Sequence, residues 1–152
     1  MPEKRVSRGY ISSAVSCRCP RCREGKLFQS PVSANLKKNM VMNKECPVCG
    51  QPTEIEVGFY YGTSYVSYAM TVGLSLISLA IWALTIGLSV NDNRFFIWMG
   101  VNAALLILLQ PWLMRLSRSL WISWFVKYDP EWEHHQPEDV SERLNPDQAN
   151  NW

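Results

Sequence analysis

A membrane protein with a small cysteine-held N-terminal module and a two-helix transmembrane hairpin is the fold that this sequence predicts. Two Cys-x-x-Cys pairs lie within the first fifty residues, and two uncharged apolar stretches follow them. The pairs are separated by 23 residues, close to the zinc-ribbon spacing though a little longer than the usual 15–20. Each apolar stretch is long enough to cross a bilayer. The expected fold is therefore a zinc-ribbon-like small β module, a transmembrane hairpin and an interfacial helical extension.

Charge divides the chain into regions that suit different surroundings. The net charge of the 152 residues is only +2, so no field of the whole chain attracts nucleic acid. Residues 1–57 carry ten Lys/Arg and five Asp/Glu, residues 64–113 one Asp and one Arg, and residues 128–152 seven carboxylates and one Arg. These shifts predict a flexible N-terminal arm (1–16), a four-cysteine module (17–57), a hairpin with its extension (58–127) and a flexible acidic tail (128–152).

The two apolar stretches predict transmembrane helices at about residues 65–90 and 95–114. A helix needs about 20 apolar residues to cross a hydrocarbon core. Two buried helices of a soluble protein are the alternative, but helices of that length usually carry a charged face, and these do not. The polar residues 91–94, NDNR, predict a tight turn between antiparallel spans.

Basic residues near the spans predict the orientation of the hairpin. Arg115, Arg118 and Lys127 follow the second span, whereas the turn has only Arg94. The positive-inside rule therefore places both termini in the cytoplasm. The N-terminus lacks the apolar core that a signal peptide needs.

The segment after the second span predicts a helix that lies at the inner membrane interface. Pro111 is expected to kink the second helix. Beyond it, Leu113, Leu116, Leu120 and Trp124 form one helical stripe, and the basic side chains lie off that stripe. An interfacial extension over residues 115–127 follows from this pattern.

Small and weakly polar residues predict where the spans pack, either on each other or on a partner. Small residues allow helices in a bilayer to approach closely, and a buried amide usually bonds across helices. Gly58 and Gly62 are expected to let the linker into the first span pack closely. The packing residues predicted within the spans are Thr63, Ser67, Thr71, Ser75, Gly100, Asn102 and Ala104.

The cysteine spacing predicts a structural zinc site formed by Cys19, Cys22, Cys46 and Cys49. Two residues between thiols let a tight turn direct both sulfurs at one ion, and two turns complete a tetrahedral shell. Prolines 20 and 47 pre-set the two turns. Gly50 suits a positive φ after the second pair, whereas the matching position in the first turn is Arg23, which would be strained there.

Other uses of the thiols are less well matched to the sequence. A cytoplasmic location disfavours disulfides, and an odd count suits four ligands plus one spare thiol, Cys17. Iron could use the same four ligands, so it stays open beside zinc. The basic side chains of the module could contact nucleic acid, but we expect them to face anionic lipid headgroups instead.

Four segments together resemble a bacterial family known as domain of unknown function 983. They are CPRCREGKLF, CPVCG, GFYYGTSYVSYAMTVG and RLSRSLW…KYDP, and the resemblance covers about Cys19 to Pro130. It implies a small inner-membrane protein with a cysteine-rich N-terminal region and two spans, and it implies no established activity. Arg23 departs from the glycine that many members have after the first cysteine pair.

The sequence therefore predicts a non-catalytic adaptor or assembly factor in the bacterial inner membrane. Its expected partners are the lipid bilayer and another membrane or cytosolic protein, with no small-molecule substrate and no nucleic acid. We see no nucleophile–base pair and no open metal site, so we do not expect an enzyme. Two alternatives stay open: electron transfer through a rubredoxin-like iron site, and a membrane-tethered ribbon that binds nucleic acid.

Overall fold

The computed structural model describes residues 8–89 and 91–144. The described chain is helical, with loops around the cysteines. Its elements are α1 (Tyr10–Val15), α2 (Leu36–Asn39), a 3₁₀ turn (Phe59–Gly62), α3 (Thr63–Thr85) and α4 (Arg94–Phe125).

The prediction of a β module is wrong in its secondary structure. Residues 17–57 contain no β-strand, and the described chain has only single-pair bridges, Arg18–Lys26, Phe28–Met42 and Glu45–Pro52. In the last of these, proline has no amide hydrogen with which to extend a ladder. The module is therefore a set of loops joined at isolated points and brought together by its cysteines.

The two long helices form the predicted antiparallel hairpin. Helix α3 ends at Thr85, earlier than the predicted 90, because Gly87 turns the chain with φ 83°. The amides of Ile86 and Gly87 both donate to the Trp82 carbonyl, which closes the last turn. Residue 90 itself lies outside the described residues.

Apolar side chains on the hairpin are mostly exposed. Only 6% of the most apolar 18-residue stretch of each helix is buried, and Leu84 and Leu108 are 88% and 79% exposed. Core helices of a soluble protein would be mostly buried. Both helices are long and apolar enough to cross a membrane.

Helix α4 continues well past the predicted end of the second span. Its 32 residues include Pro111 and correspond to about 48 Å. The predicted helical extension is present as a continuation of α4 to Phe125, in which Leu113, Leu116 and Ile122 are buried. Part of it packs on the cysteine module, because Ile122 and Val126 belong to the same hydrophobic cluster as Cys19. Its position at the membrane interface stays a prediction.

Arg115 is the main polar link between the module and α4. Its side chain is buried, with only 4% of the residue exposed. Its Nε donates to the Asn39 carbonyl at 2.8 Å, and its Nη2 donates to the carbonyl of Pro31 at 3.0 Å and the hydroxyl of Ser30 at 3.2 Å. The guanidinium lies 4.6 Å from the centre of the Phe28 ring. The pattern of the sequence placed this arginine on a polar face; the fold instead uses it to bind a loop.

Asn39 completes the attachment of this loop. The residue is fully buried, and its Nδ2 donates to the Pro111 carbonyl at 2.6 Å while its Oδ1 accepts from the Ser33 amide at 3.1 Å. The loop that carries α2 is therefore fixed to α4 at two points, one turn apart.

Both ends of the described chain also pack on the module and α4. Helix α1 lies within the region predicted to be a flexible arm, and Ser119 Oγ on α4 donates to its Ala14 carbonyl at 2.9 Å. In the region predicted to be a flexible tail, Val140 is buried in the same hydrophobic cluster as Cys46. The Asp129 amide donates to the Arg21 carbonyl at 3.2 Å.

The linker into α3 packs closely, as the two glycines predicted. A Cβ atom at Gly62 would lie 2.2 Å from the Trp121 ring, so only glycine fits there. The Trp121 indole donates to the Phe59 carbonyl at 2.8 Å. This contact fixes the start of α3 against the last turns of α4.

We predict that Arg115→Ala releases the loop of residues 28–40 from α4. The substitution leaves the buried Asn39 carbonyl and the partly buried Pro31 carbonyl without this donor and should lower the free energy of local opening by about 2–4 kcal/mol. Hydrogen–deuterium exchange of detergent-solubilised protein measures this as faster exchange in the loop.

Arg94→Ala is the matched control, because Arg94 lies half-exposed at the start of α4, at the end of the hairpin far from the loop, where it pairs with Asp92. Unchanged exchange of residues 28–40 in Arg115→Ala would contradict the role given to this arginine.

Candidate metal centre

Two short turns with nearly the same backbone geometry carry the four predicted ligands. In the first, the Arg23 amide donates to the Cys19 carbonyl at 2.8 Å. In the second, the Gly50 amide donates to the Cys46 carbonyl at 3.0 Å. Arg23 and Gly50 both have positive φ, 61° and 69°. The strain expected at Arg23 is therefore present, and the guanidinium of this residue stacks 3.8 Å from the centre of the Tyr128 ring.

Each turn is closed at its base by a further backbone bond. The Cys19 amide donates to the Gly25 carbonyl, and the Cys46 amide donates to the Gln51 carbonyl, both at 2.8 Å. The Gly25 amide also points at the Cys22 sulfur, 3.5 Å away. The first thiol of each pair is thus held at the point where the turn begins.

The four sulfurs form one cluster with the dimensions of a tetrahedral metal site. All four Sγ atoms lie within 4.8 Å of one another, and the Cys19–Cys49 and Cys22–Cys46 sulfurs are each 3.7 Å apart. A tetrahedron with Zn–S bonds of about 2.3 Å has sulfurs about 3.8 Å apart, whereas a disulfide bond is about 2.05 Å long. All five cysteines are free thiols. The arrangement fits four thiolates around one ion and does not fit disulfides.

The crowding of the thiols makes their ionisation interdependent. Hydrogen bonds from the thiols of Cys19, Cys46 and Cys49 lower the pKa of Cys22, and the Cys19 thiol lowers the pKa of Cys46 to about 7. The pKa of Cys19 is raised, first by its hydrogen bond to Cys22. One thiolate forms readily in such a cluster, and each further negative charge is opposed by those already present. A bound cation removes this conflict.

Gly25 is a site residue that the sequence reasoning missed. A Cβ atom at this position would lie 2.2 Å from the Cys46 sulfur. The first turn therefore approaches the second turn so closely that no side chain fits between them. The only signal in the sequence was a glycine three residues after the first cysteine pair. Its role depends on the contact between the two turns, which the sequence does not show.

Cys17 does not belong to the four-sulfur cluster. It is half-buried with φ 52°, and burial raises the pKa of its thiol to about 11, with the charge of Arg115 opposing the shift. At neutral pH this thiol is protonated, which does not favour a nucleophile or an extra ligand.

Arg21, between the two ligands of the first turn, binds both the second turn and the C-terminal region. Only 5% of this residue is exposed. It donates to the His135 carbonyl at 2.7 Å, and it lies 3.5 Å from both the Cys49 carbonyl and the Asp129 carboxylate. Two of the basic residues expected on an outer face, Arg21 and Arg23, therefore make contacts within the protein.

The predicted packing residues of the hairpin divide into two groups. Ser75 and Asn102 meet: the Asn102 Nδ2 donates to Ser75 Oγ at 3.1 Å, and Ser78 Oγ lies 2.9 Å from the Asn102 Oδ1. Ser78 and Trp98, whose indole donates to Ser78 at 3.2 Å, are members of this network that the sequence reasoning missed. The hydroxyls of Thr63 and Thr71 bond to carbonyls of the preceding turn, and Thr71 uses that of Ser67.

Gly100 and Ala104 lie on an exposed face of α4. A Cβ atom at Gly100 would meet nothing within 4 Å. Ala104 is likewise exposed. These two residues do not contribute to packing between the two helices of the hairpin. Packing of this face on a partner stays a prediction.

Comparison of the chain with protein-family models, curated proteins and solved structures gives no match. The resemblance to domain of unknown function 983 therefore stays a prediction based on the quoted motifs. The functional argument rests on the geometry of the four thiols and the hairpin.

We predict that Gly25→Ala weakens metal binding by about 10–100-fold, the range seen when groups around the ligands are changed. The added methyl group would overlap the Cys46 sulfur and displace it from the cluster. Competition with a chromogenic chelator measures the affinity. Gly9→Ala is the control, because a Cβ there meets nothing within 4 Å; equal affinities for the two variants would contradict the close approach.

We predict that Cys17→Ser retains the full metal content of the protein, whereas Cys22→Ser loses it. Only the second thiol belongs to the cluster of sulfurs within 4.8 Å. Elemental analysis of both purified variants gives the metal-to-protein ratio. Metal loss in Cys17→Ser with an otherwise unchanged fold would show that Cys17 is a ligand.

Proposed function

We propose that the protein is a non-catalytic zinc-binding adaptor or assembly factor anchored in the bacterial inner membrane by its helical hairpin. Zinc would be held by Cys19, Cys22, Cys46 and Cys49. The observation that carries the proposal is the 3.7 Å spacing of the sulfurs across the two turns.

A four-thiolate zinc site has a structural role in this proposal. Four protein ligands fill a tetrahedral shell and leave no position for water or substrate. Zinc also has no redox chemistry, so it would supply charge compensation and cross-linking to a module that has no β-strand. Zinc binding to small cysteine modules is worth about 10–16 kcal/mol, enough to hold such a module folded.

Iron in the same thiolates is the alternative that would change the function to electron transfer. Both metals use tetrahedral thiolate sites, so the ligand set does not distinguish them. A zinc site is colourless, whereas iron–thiolate sites absorb visible light. Elemental analysis and visible absorbance of the purified protein therefore decide between an adaptor and an electron carrier.

The exposed apolar surface of the hairpin supports membrane insertion. Tyr61, Tyr65 and Tyr68 are also exposed, near the end of the hairpin that carries the module. Tyrosines in this position are typical of the membrane–water interface. The basic residues near this end favour a cytoplasmic module, where the reducing environment keeps thiols available for metal.

The fixed junction of module and hairpin supports an adaptor function. Arg115, Asn39 and Trp121 each join a loop of the module or linker to α4. A protein that bound the module would therefore be held at a defined position above the membrane. A ribbon that binds nucleic acid is less well supported, because Arg21 and Arg23 are engaged within the protein.

We predict one zinc ion per chain and no visible absorbance in protein purified under reducing conditions. Stripping the metal should unfold residues 17–55 and expose the buried end of α4, while residues 94–110 keep their slow hydrogen exchange because the membrane helices do not depend on the metal. Elemental analysis, absorbance and hydrogen exchange of the same sample measure this.

The same sample tests the adaptor function. Affinity capture from native membranes should recover a partner with the wild-type chain and with Cys17→Ser but lose it with Cys22→Ser. Bound iron with visible absorbance, or a module that keeps its protection without metal, would contradict the proposal.

A further inference from the structure

A groove of about 1270 Å³ lies between the module, the start of the hairpin and the C-terminal region. Its floor includes apolar side chains such as Met42 and Val140. Its charged and aromatic lining includes Glu54, Tyr60, Arg118 and Asp139. The groove thus combines apolar surface with charges of both signs, and neither the metal site nor the hairpin network uses it.

Arg118 enters the groove with hydrogen-bond donors to spare. Its Nη1 donates to the Met40 carbonyl at 3.2 Å, and its guanidinium lies 5.0 Å from the centre of the Tyr60 ring. Its buried Nε has no hydrogen-bond partner among the described residues, and the guanidinium forms no ion pair with a described carboxylate. Because Nε is buried, only the Nη atoms can reach a ligand, and Nη2 forms no hydrogen bond with a described residue. A guanidinium with an unused Nη2 is suited to binding a phosphate oxygen.

Carboxylates on the lining supply the opposite charge. Hydrogen bonds from Ser141 lower the pKa of Asp139, so this side chain is ionised at neutral pH. Glu54 is exposed and forms no ion pair within the described chain, whereas Glu138 is already paired with Arg143 at 3.0 Å.

Lys44 and Glu45 also line the groove. The charge of Glu54 acts on Arg118, where it opposes the lowering of the pKa by burial. Glu54 and Asp139 are the two carboxylates that we assign to a ligand beside Arg118.

The groove lies at the end of the hairpin where the headgroup of a lipid would be if the hairpin spans the bilayer. Arg118 follows Met114, the predicted inner end of the second span, by one helical turn, about 6 Å along the axis. Tyr60 and Tyr61 directly precede α3 at the same end of the hairpin. If the hairpin spans the bilayer, the groove opens at the level of the phosphates; the inference rests on the proposed function in this respect.

We infer that this groove binds the headgroup of a phospholipid that carries both a phosphate and a primary ammonium group, as phosphatidylethanolamine does. Arg118 binds the phosphate, Glu54 and Asp139 accept hydrogen bonds from the ammonium group, and the apolar floor contacts the glycerol and the first acyl carbons. A choline headgroup has no N–H to donate, and a glycerol headgroup has no positive charge. The two available carboxylates therefore favour ethanolamine over both.

Native mass spectrometry of the zinc-loaded, detergent-solubilised protein tests the inference with dioleoyl forms of phosphatidylethanolamine, phosphatidylcholine and phosphatidylglycerol. We expect retention of the ethanolamine lipid to exceed that of either other lipid by about tenfold or more, the effect of one charge-assisted hydrogen bond. Arg118→Gln should lower retention of all three lipids. The double variant Glu54→Gln, Asp139→Asn should instead equalise the ethanolamine and choline lipids.

Arg94→Gln is the matched control, since this arginine lies at the opposite end of the hairpin. A full zinc content shows that a variant is folded; should Arg118→Gln fail this check, the carboxylate double variant still tests the inference. Equal retention of the three lipids by the wild-type chain, or an ethanolamine preference that survives in the double variant, would overturn it. A wild-type chain that holds no zinc or does not float with liposomes would instead refute the proposed function.

Discussion

Four sulfur atoms brought within 4.8 Å of one another are the constraint on which the N-terminal half of this protein depends. The module around them has no β-strand, and its backbone bridges are isolated pairs. A chain of this kind buries too little apolar surface and makes too few ladder bonds to offset its conformational entropy unaided. In the proposed zinc form, a cation would compensate the charge of the thiolates and let the two cysteine turns supply the missing order. The glycine at position 25, which lets one turn touch the sulfur of the other, belongs to the same constraint.

The ordered module then determines what happens at the end of α4. A helix of 32 residues is longer than a bilayer requires, and its last turns carry Arg115 and several apolar residues. Burying an arginine is costly unless its donors are satisfied. Carbonyls of the loop between the two cysteine turns satisfy them, and Asn39 bonds in return to the carbonyl of Pro111. Contacts between side chains and backbone thus join the four-cysteine module firmly to the helical hairpin.

Polar side chains inside the hairpin also need hydrogen-bond partners, and here the partners lie within the hairpin itself. An amide in a hydrocarbon environment needs partners within the protein, and Asn102 finds them in the hydroxyls of Ser75 and Ser78. The network fixes the register of the two helices and leaves their apolar faces for lipid or a partner helix. In the groove this need is only partly met, since the buried Nε of Arg118 has no hydrogen-bond partner among the described residues. That difference is why the groove, and not the hairpin network, is a candidate for binding a ligand.

The sequence by itself determined the four clustered cysteines and the two apolar helices, but not the turn between them, because α3 ends at Thr85 and α4 already begins at Arg94 rather than after a turn of residues 91–94. Cysteine spacing and uninterrupted hydropathy are local properties, and they depend on chain geometry that holds in any fold. It also gave the strained position of Arg23, because a turn of that kind requires a positive φ wherever it occurs. Tertiary structure alone decided that the module lacks strands, that Arg115 is buried and that Gly25 touches Cys46, because each depends on which segments meet. The exposure of Gly100 and the groove beside Arg118 have the same origin: residues far apart in the chain set them, and no local pattern encodes that proximity.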